Sequence, residues 1–157
     1  GSVVNTSSAA IYGQGKKAGA LNLSRDYARP GLLGMYSMSK LAMTTMTQGS
    51  AVDFQRDDIW LCSVDPGGNV TNMTQGPGVP WIIRCCMKCL ASKPTAGAKL
   101  LYDALAHREH ADFPSGCFVG DGGRNDTAKA PVDVRDTQKQ QDCIAAIMVD
   151  CAEQMPK

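Results

Sequence analysis

The sequence lacks both a long apolar run and a marked excess of one charge. Its 157 residues carry a formal net charge of +1, so nothing in the composition indicates a nucleic-acid groove or a strongly acidic partner. No apolar stretch reaches the ~20 residues that a membrane-spanning helix needs. The longest candidate, Val79 to Leu90, is interrupted by Arg84 and Lys88. We therefore expect no membrane span and no nucleic-acid partner.

The first residues also lack the basic segment followed by an apolar one that a secretory signal peptide would show. The seven cysteines are odd in number and have no regular spacing. Without a secretory signal, we expect free thiols in a reducing compartment, and hence an intracellular, cytoplasmic location. Cys85, Cys86 and Cys89 lie in an apolar stretch where cysteine behaves as a small hydrophobe. We expect no metal site there.

Apolar runs alternate with helical patterns along the chain. The runs predict strands, the first of them buried, at residues 2–6, 59–64 and 117–119. The patterns predict helices at residues 35–56, 79–90, 94–107 and 137–154. Residues 9–34 and 67–80 are rich in Gly and Pro and are predicted as loops. This alternation predicts an α/β fold with a parallel sheet and flanking helices. Three strands are few, because a doubly wound sheet usually has about five or more.

Tyr36 and Lys40 lie four residues apart in the longest predicted helix, so their side chains are expected on one face. A tyrosine phenol ordinarily has a pKa near ~10, and a neighbouring ammonium stabilises the phenolate. Such a pair can move a proton to or from an alcohol or carbonyl oxygen. The same spacing occurs on many solvated helix faces, so the pair alone favours that simpler interpretation.

Two other stretches stand beside this helix in the sequence. Ser7 and Ser8 follow the first predicted strand, at the edge where parallel sheets bind ligands. Ser8 can donate a hydrogen bond to a substrate oxygen, or the two serines can simply cap the strand end. Pro66-Gly67 comes after the second predicted strand and is followed by Thr71.

A strand with Ser-Ser, a helix with Tyr-x-x-x-Lys and a strand with Pro-Gly and a later Thr, in this order, resemble the short-chain dehydrogenase/reductase family. The resemblance implies three catalytic residues, Ser8, Tyr36 and Lys40. Ser8 would hold the substrate oxygen, Tyr36 would transfer the proton, and Lys40 would support Tyr36.

The same resemblance implies contacts with NAD or NADP, between which the sequence does not distinguish. Tyr36 and Lys40 would bind the nicotinamide ribose end, and Pro66 and Gly67 would form the turn beneath the nicotinamide. Thr71 would contact the carboxamide or a phosphate. Asn69 departs from the family pattern, which commonly has Val or Ile there, although Asn can offer the same backbone groups.

Looser matches are similar to the retinol-dehydrogenase and WW-domain oxidoreductase branch. They comprise the insert Gly19 to Tyr27, the stretch Tyr36 to Ala42, Thr95 to Ala98, and Ser115 to Val119. Together with the catalytic motifs they extend the resemblance over nearly the whole chain.

The family's Gly-rich turn, which binds the dinucleotide after the first strand, has no counterpart before Ser8. The chain therefore resembles a carboxyl-terminal half: a partial Rossmann-like domain over residues 1–157 without the amino-terminal dinucleotide-binding half. The resemblance implies an NAD(P)-dependent oxidoreductase that interconverts an alcohol and a carbonyl in a small, apolar substrate covered by residues 79–90. We expect a homo-oligomer, and we expect this chain alone to be inactive.

Two alternatives remain open at this point. One is a catalytically inactive fragment that acts as a binding or regulatory protein. The other is a nucleotide-sugar epimerase or dehydratase, which also uses Tyr-x-x-x-Lys. The early Pro-Gly-x-x-x-Thr stretch and the short carboxyl-terminal portion disfavour the epimerase.

Overall fold

A parallel sheet of three strands lies at the centre of the described part of the protein. The structure, a computed structural model, describes residues 1–13, 34–76, 79 and 81–154. The strands are β1 (Ser2–Thr6), β2 (Trp60–Val64) and β3 (Cys117–Val119). Their order in the sheet is β1-β2-β3, and both pairings are parallel. The predicted α/β class and the three predicted strands are confirmed.

The described residues also form seven helices. They are α1 (Gly34–Gly49), α2 (Ala51–Arg56), α3 (Asn72–Gln75), α4 (Trp81–Leu90), α5 (Pro94–Ala106), α6 (Val132–Arg135) and α7 (Thr137–Gln154). Short 3-10 turns span Ala9–Gly13, His107–Glu109 and Thr127–Lys129. None of these helices combines the length and the apolar character that a membrane span requires.

The helix predicted over residues 35–56 is two helices instead of one. The chain turns at Ser50, between α1 and α2. A side chain at Gly49 would meet Cβ of Gln140 at 2.9 Å, so the end of α1 approaches α7 more closely than another residue would allow. Close packing between these two helices therefore depends on a glycine where the predicted helix breaks.

Helices cover both faces of the sheet, because side chains alternate in direction along each strand. On one face Cys62, Val64, Cys117 and Val119 pack with Ala104 of α5. On the other face Phe118 packs with Leu41 of α1, with Ile11 and with Val134. The sheet is therefore the middle of three layers, and α1 and α5 lie on opposite sides of it.

The prediction that β1 is buried is wrong. Val3 is 38% exposed, because β1 is an edge strand of the described sheet. Gly1 accepts a hydrogen bond from Trp60 N, and Ser7 N donates to Val64 O. In a parallel ladder the alternate residues turn their backbone groups the other way, so those of Ser2, Val4 and Thr6 face the open edge.

The cysteines occupy two kinds of environment, and all seven are free thiols. Cys62 and Cys117 are register partners on β2 and β3, and both are buried. The pKa of Cys62 is raised above its ordinary value, mainly by a hydrogen bond with Cys117 and secondly by burial. Cys85, Cys86 and Cys89 are exposed on α4, so they do not belong to the core.

Candidate functional site

Hydroxyl groups attach α1 to β1. Ser7 Oγ lies 2.6 Å from Thr44 Oγ1, and Asn5 Nδ2 donates to Thr47 Oγ1 at 2.8 Å. Each threonine hydroxyl also donates to the backbone oxygen four residues earlier in the helix, at 2.8 Å. Each hydroxyl thus accepts from the strand and donates to its own helix, which sets the position of α1 along β1.

This attachment brings Tyr36 and Lys40 to the carboxyl end of β1. Lys40 Nζ donates to the carbonyl oxygen of Thr6 at 2.7 Å and lies 5.7 Å from the centroid of the Tyr36 ring. That separation is within the range of a cation–π contact. Both side chains are half-buried. The prediction that the two residues share one helix face is confirmed.

Ser8 follows Thr6 by two residues and lies at the same strand end. Its Oγ accepts a hydrogen bond from Ala10 N at 3.2 Å, and its carbonyl oxygen accepts from Ile11 N at 3.2 Å. Ser8 therefore caps the 3-10 turn that follows β1. A hydroxyl that accepts in this way still has its own proton to donate, and Ser8 is only half-buried. Ser7, in contrast, is 1% exposed and is engaged with α1.

Pro66 and Gly67 form a turn at the end of β2 that hydrogen bonds hold in place. Gly67 has φ +72°, a conformation that favours glycine, and its N–H donates to Asp65 Oδ1 at 3.0 Å. Asn69 Nδ2 donates to the carbonyl oxygens of Pro66 at 2.9 Å and Gly67 at 3.0 Å. The residue that departs from the family pattern therefore holds the Pro-Gly turn through its side chain.

The structure gives Thr71 a local role. It is the N-cap of α3: Thr71 Oγ1 accepts from Thr74 N at 3.4 Å, and Thr71 N donates to Thr74 Oγ1 at 2.9 Å. A hydrogen bond from Ser92 N to Gly68 O, at 2.8 Å, fixes the loop that contains Thr71. A contact of Thr71 with a ligand stays a prediction.

Asp65 belongs to this strand end, although sequence reasoning missed it. Its side chain accepts a hydrogen bond from the backbone N–H of Gly67 and lies near that of Ala9, and Asp65 is 4% exposed. Burial raises its pKa above the ordinary value; the bond from Gly67 opposes this, while the like charge of Asp121 adds to it. The detectable signal was an acid placed directly between a buried strand and Pro-Gly.

Loops that follow all three strands therefore meet around one carboxyl group. The loop after β1 supplies Ala9, the loop after β2 supplies Gly67, and the loop after β3 supplies Asp121. A shallow pocket lined by Gln55, Asp58, Ile59, Trp60 and Arg108 lies at the opposite, amino end of β2. It contains none of the residues predicted for the site.

Comparisons with protein-family models, with curated proteins and with solved structures found no match for this chain. A family assignment therefore depends on the motifs and on the geometry at the strand ends. The branch-specific insert, Gly19 to Tyr27, lies outside the described residues.

We expect Gly97→Ala to destabilise the protein by up to about 2 kcal/mol. A Cβ on Gly97, in α5, would lie 2.5 Å from Asn69 Nδ2. Ala is intrinsically better than Gly in a helix by about 1 kcal/mol, but overpacking a buried site costs about 1–3 kcal/mol. Urea unfolding measures the net effect. The cost should shrink in an Asn69→Ala background, and an equally stable Gly97→Ala protein would contradict the close contact.

We expect Asp121→Asn to lower the pKa of the Asp65 carboxyl towards its ordinary value of 3.8. Because the pKa of Asp65 is higher in the folded than in the unfolded state, the free energy of unfolding falls as pH rises from 3.8 through the folded pKa. The substitution should make this fall smaller. Carboxyl-carbon NMR titration, together with Tm against pH, provides the measurement. Asp57→Asn, at an exposed turn, is the control; an unchanged Asp65 titration in Asp121→Asn would refute the coupling.

Proposed function

We propose that this protein is an NAD(P)-dependent oxidoreductase of the short-chain dehydrogenase/reductase family, with a Rossmann-like sheet. The reaction is the interconversion of an alcohol and a carbonyl. The observation that supports it is that Lys40 contacts both the Tyr36 ring and the carbonyl oxygen of Thr6 at the end of β1, two residues before Ser8. The neighbouring strand β2 ends at the Pro66-Gly67 turn. The edge at the carboxyl ends of parallel strands is where such sheets bind ligands.

Each catalytic side chain has a role that follows from its surroundings. Tyr36 exchanges a proton with the substrate oxygen, and the Lys40 ammonium lies 5.7 Å from the centroid of its ring. Ser8 donates its hydroxyl proton to the same oxygen, where negative charge develops. Lys40 is held by its hydrogen bond to the Thr6 carbonyl oxygen, and Ser8 by the hydrogen bond that it accepts from Ala10 N. Both side chains are therefore in place before a substrate arrives.

The described residues fit the nicotinamide end of a dinucleotide only in part. At Gly67 the Asp121 carboxylate lies 2.9 Å from the position that a Cβ would take, so it occupies the space that the absent side chain leaves. Lys40 offers an ammonium at the strand end for a ribose hydroxyl. The nicotinamide would accept or supply the hydride. The engaged hydroxyl of Thr71 fits less well, because a ligand would have to compete with the cap of α3.

A non-catalytic binding or regulatory protein is the second candidate. Two observations favour it: Thr71 is used as a cap, and the outward side chains Trp81 and Ile82 of α4 are 68% and 57% exposed. Because these side chains point outward, α4 does not support the prediction that it covers an apolar substrate. The apolar character of the substrate therefore stays a proposal.

A titration with the two halves of the dinucleotide tests the proposal on this chain. We expect reduced nicotinamide mononucleotide to bind weakly, with Kd of about 1 mM or higher, and to shift the backbone amide signals of Ser8, Lys40 and Gly67. ADP should leave them unchanged, because the motif residues address only the nicotinamide end. NMR chemical-shift mapping provides the measurement. Lys40→Met should reduce the shifts, whereas Lys88→Met, at an exposed lysine of α4, should not. Equal shifts with ADP, or none with either compound, would count against the proposal.

In a form of the protein that binds the whole dinucleotide, we expect Tyr36→Phe to lower kcat at least ~10²-fold, the low end for a positioned general acid. The substitution removes the proton donor and keeps the ring. Steady-state kinetics with a matched control, Tyr102→Phe at a site that is 75% exposed, isolates the effect. A Tyr36→Phe enzyme with most of its activity intact would show that Tyr36 is not the proton donor.

A further inference from the structure

Helix α4 turns an apolar surface away from the protein. Trp81 is 68% and Ile82 57% exposed, and Cys85, Cys86 and Cys89 are exposed as well. At 3.6 residues per turn these positions fall on one side of the helix. We call this set of five residues the outer face of α4.

The other side of α4 holds the helix against the protein. Met87 is half-buried, and its Cε lies 3.7 Å from the position that a Cβ on Gly68 would take. Just beyond the helix, Ser92 pairs with the loop after β2 through bonds to Gly68 and from Val70. The orientation of α4 is thus fixed at its inner side and its end, and its apolar face is left outward.

The charged residues in the sequence around α4 have one sign. From Pro66 to Tyr102 the sequence has no Asp or Glu, but it includes Arg84, Lys88, Lys93 and Lys99. Lys88 and Lys93 are exposed, whereas Lys99 pairs with Asp103. An apolar face with Trp at one end and Lys beside it has the composition of a helix that lies in a membrane interface.

This charge disfavours a second copy of the chain as the occupant. In a two-fold contact the same surface meets itself, so Lys88 and Lys93 of one copy would approach those of the other without an acidic residue nearby in the sequence. An anionic surface is complementary instead, and attraction to it grows with each nearby Lys or Arg.

We propose that the outer face of α4 binds the surface of an anionic lipid bilayer. Trp81 and Ile82 enter the boundary between headgroups and acyl chains, and Lys88 and Lys93 lie against the headgroup charges. Because α4 is short, the contact is weak, reversible and sensitive to salt. It holds the protein on a membrane surface through α4, and it does not depend on the proposed catalytic function.

Flotation with lipid vesicles on a density gradient tests the proposal, because bound protein rises while aggregated protein sinks. The whole chain is mixed with vesicles of phosphatidylserine and phosphatidylcholine, or of phosphatidylcholine alone. We expect at least about tenfold stronger binding to the anionic vesicles at low salt, and loss of that difference at high salt. No flotation with anionic vesicles, or equal flotation with both, would overturn the proposal.

Variants locate the contact. Trp81→Ser with Ile82→Ser, and separately Lys88→Gln with Lys93→Gln, should each weaken flotation by about tenfold. The matched control is Val52→Ser with Val149→Ser, at positions that are 62% and 57% exposed on α2 and α7. If the control weakens binding as much as the α4 variants do, the lipid contact is elsewhere and the proposal is wrong.

The native thiols give an independent readout. Anionic vesicles should protect Cys85, Cys86 and Cys89 from a maleimide, while Cys151, exposed on α7, stays reactive; mass spectrometry of the denatured protein measures both. Protection by poly-glutamate without lipid would indicate an acidic protein partner. Protection that grows with protein concentration alone would indicate a contact between copies. Either result would overturn the proposal.

Discussion

The hydrogen bonds between α1 and β1 position Tyr36 and Lys40 at the end of β1. Ser7 and Thr44 share a buried bond, and Lys40 reaches back to the Thr6 carbonyl. A slide of α1 by one residue would rotate its side chains by about 100° and carry Tyr36 away from the end of β1. It would also leave buried hydroxyls without partners, at a cost of about 1–3 kcal/mol each. The bonds that hold the helix on the sheet therefore also determine where Tyr36 and Lys40 lie.

A second constraint acts where the three loops meet. Asp65 is buried among backbone donors and faces Asp121, and its raised pKa reports that burial and like charge outweigh the hydrogen bonds. Such an arrangement costs stability at neutral pH, and perturbed carboxyls of this kind occur most often at functional sites. Asp65 and Asn69 together fix the Pro-Gly turn, so the shape of the candidate site is set by polar contacts instead of by apolar packing.

The limits of several elements could be predicted, because they depend on local signals. The apolar runs of β2 and β3, Pro94 at the start of α5, and the helical spacing in α7 each lie within a few residues of what they specify. Burial could not be predicted in the same way. The edge position of β1 depends on which strands pair, and the exposure of Cys85 and Trp81 depends on which side of α4 meets the loop after β2.

The sequence by itself determined the α/β class, the order of the elements and the motif Tyr36-x-x-x-Lys40, since period and spacing are properties of neighbouring residues. It also determined the acid-free stretch around α4. Only the tertiary structure decided that Lys40 contacts Thr6, that Asp65 joins three loops and that α4 turns its apolar face outward. These contacts join residues that are distant in the chain, and no local pattern specifies which of them meet, because the pairing of strands and the packing of helices on the sheet bring them together.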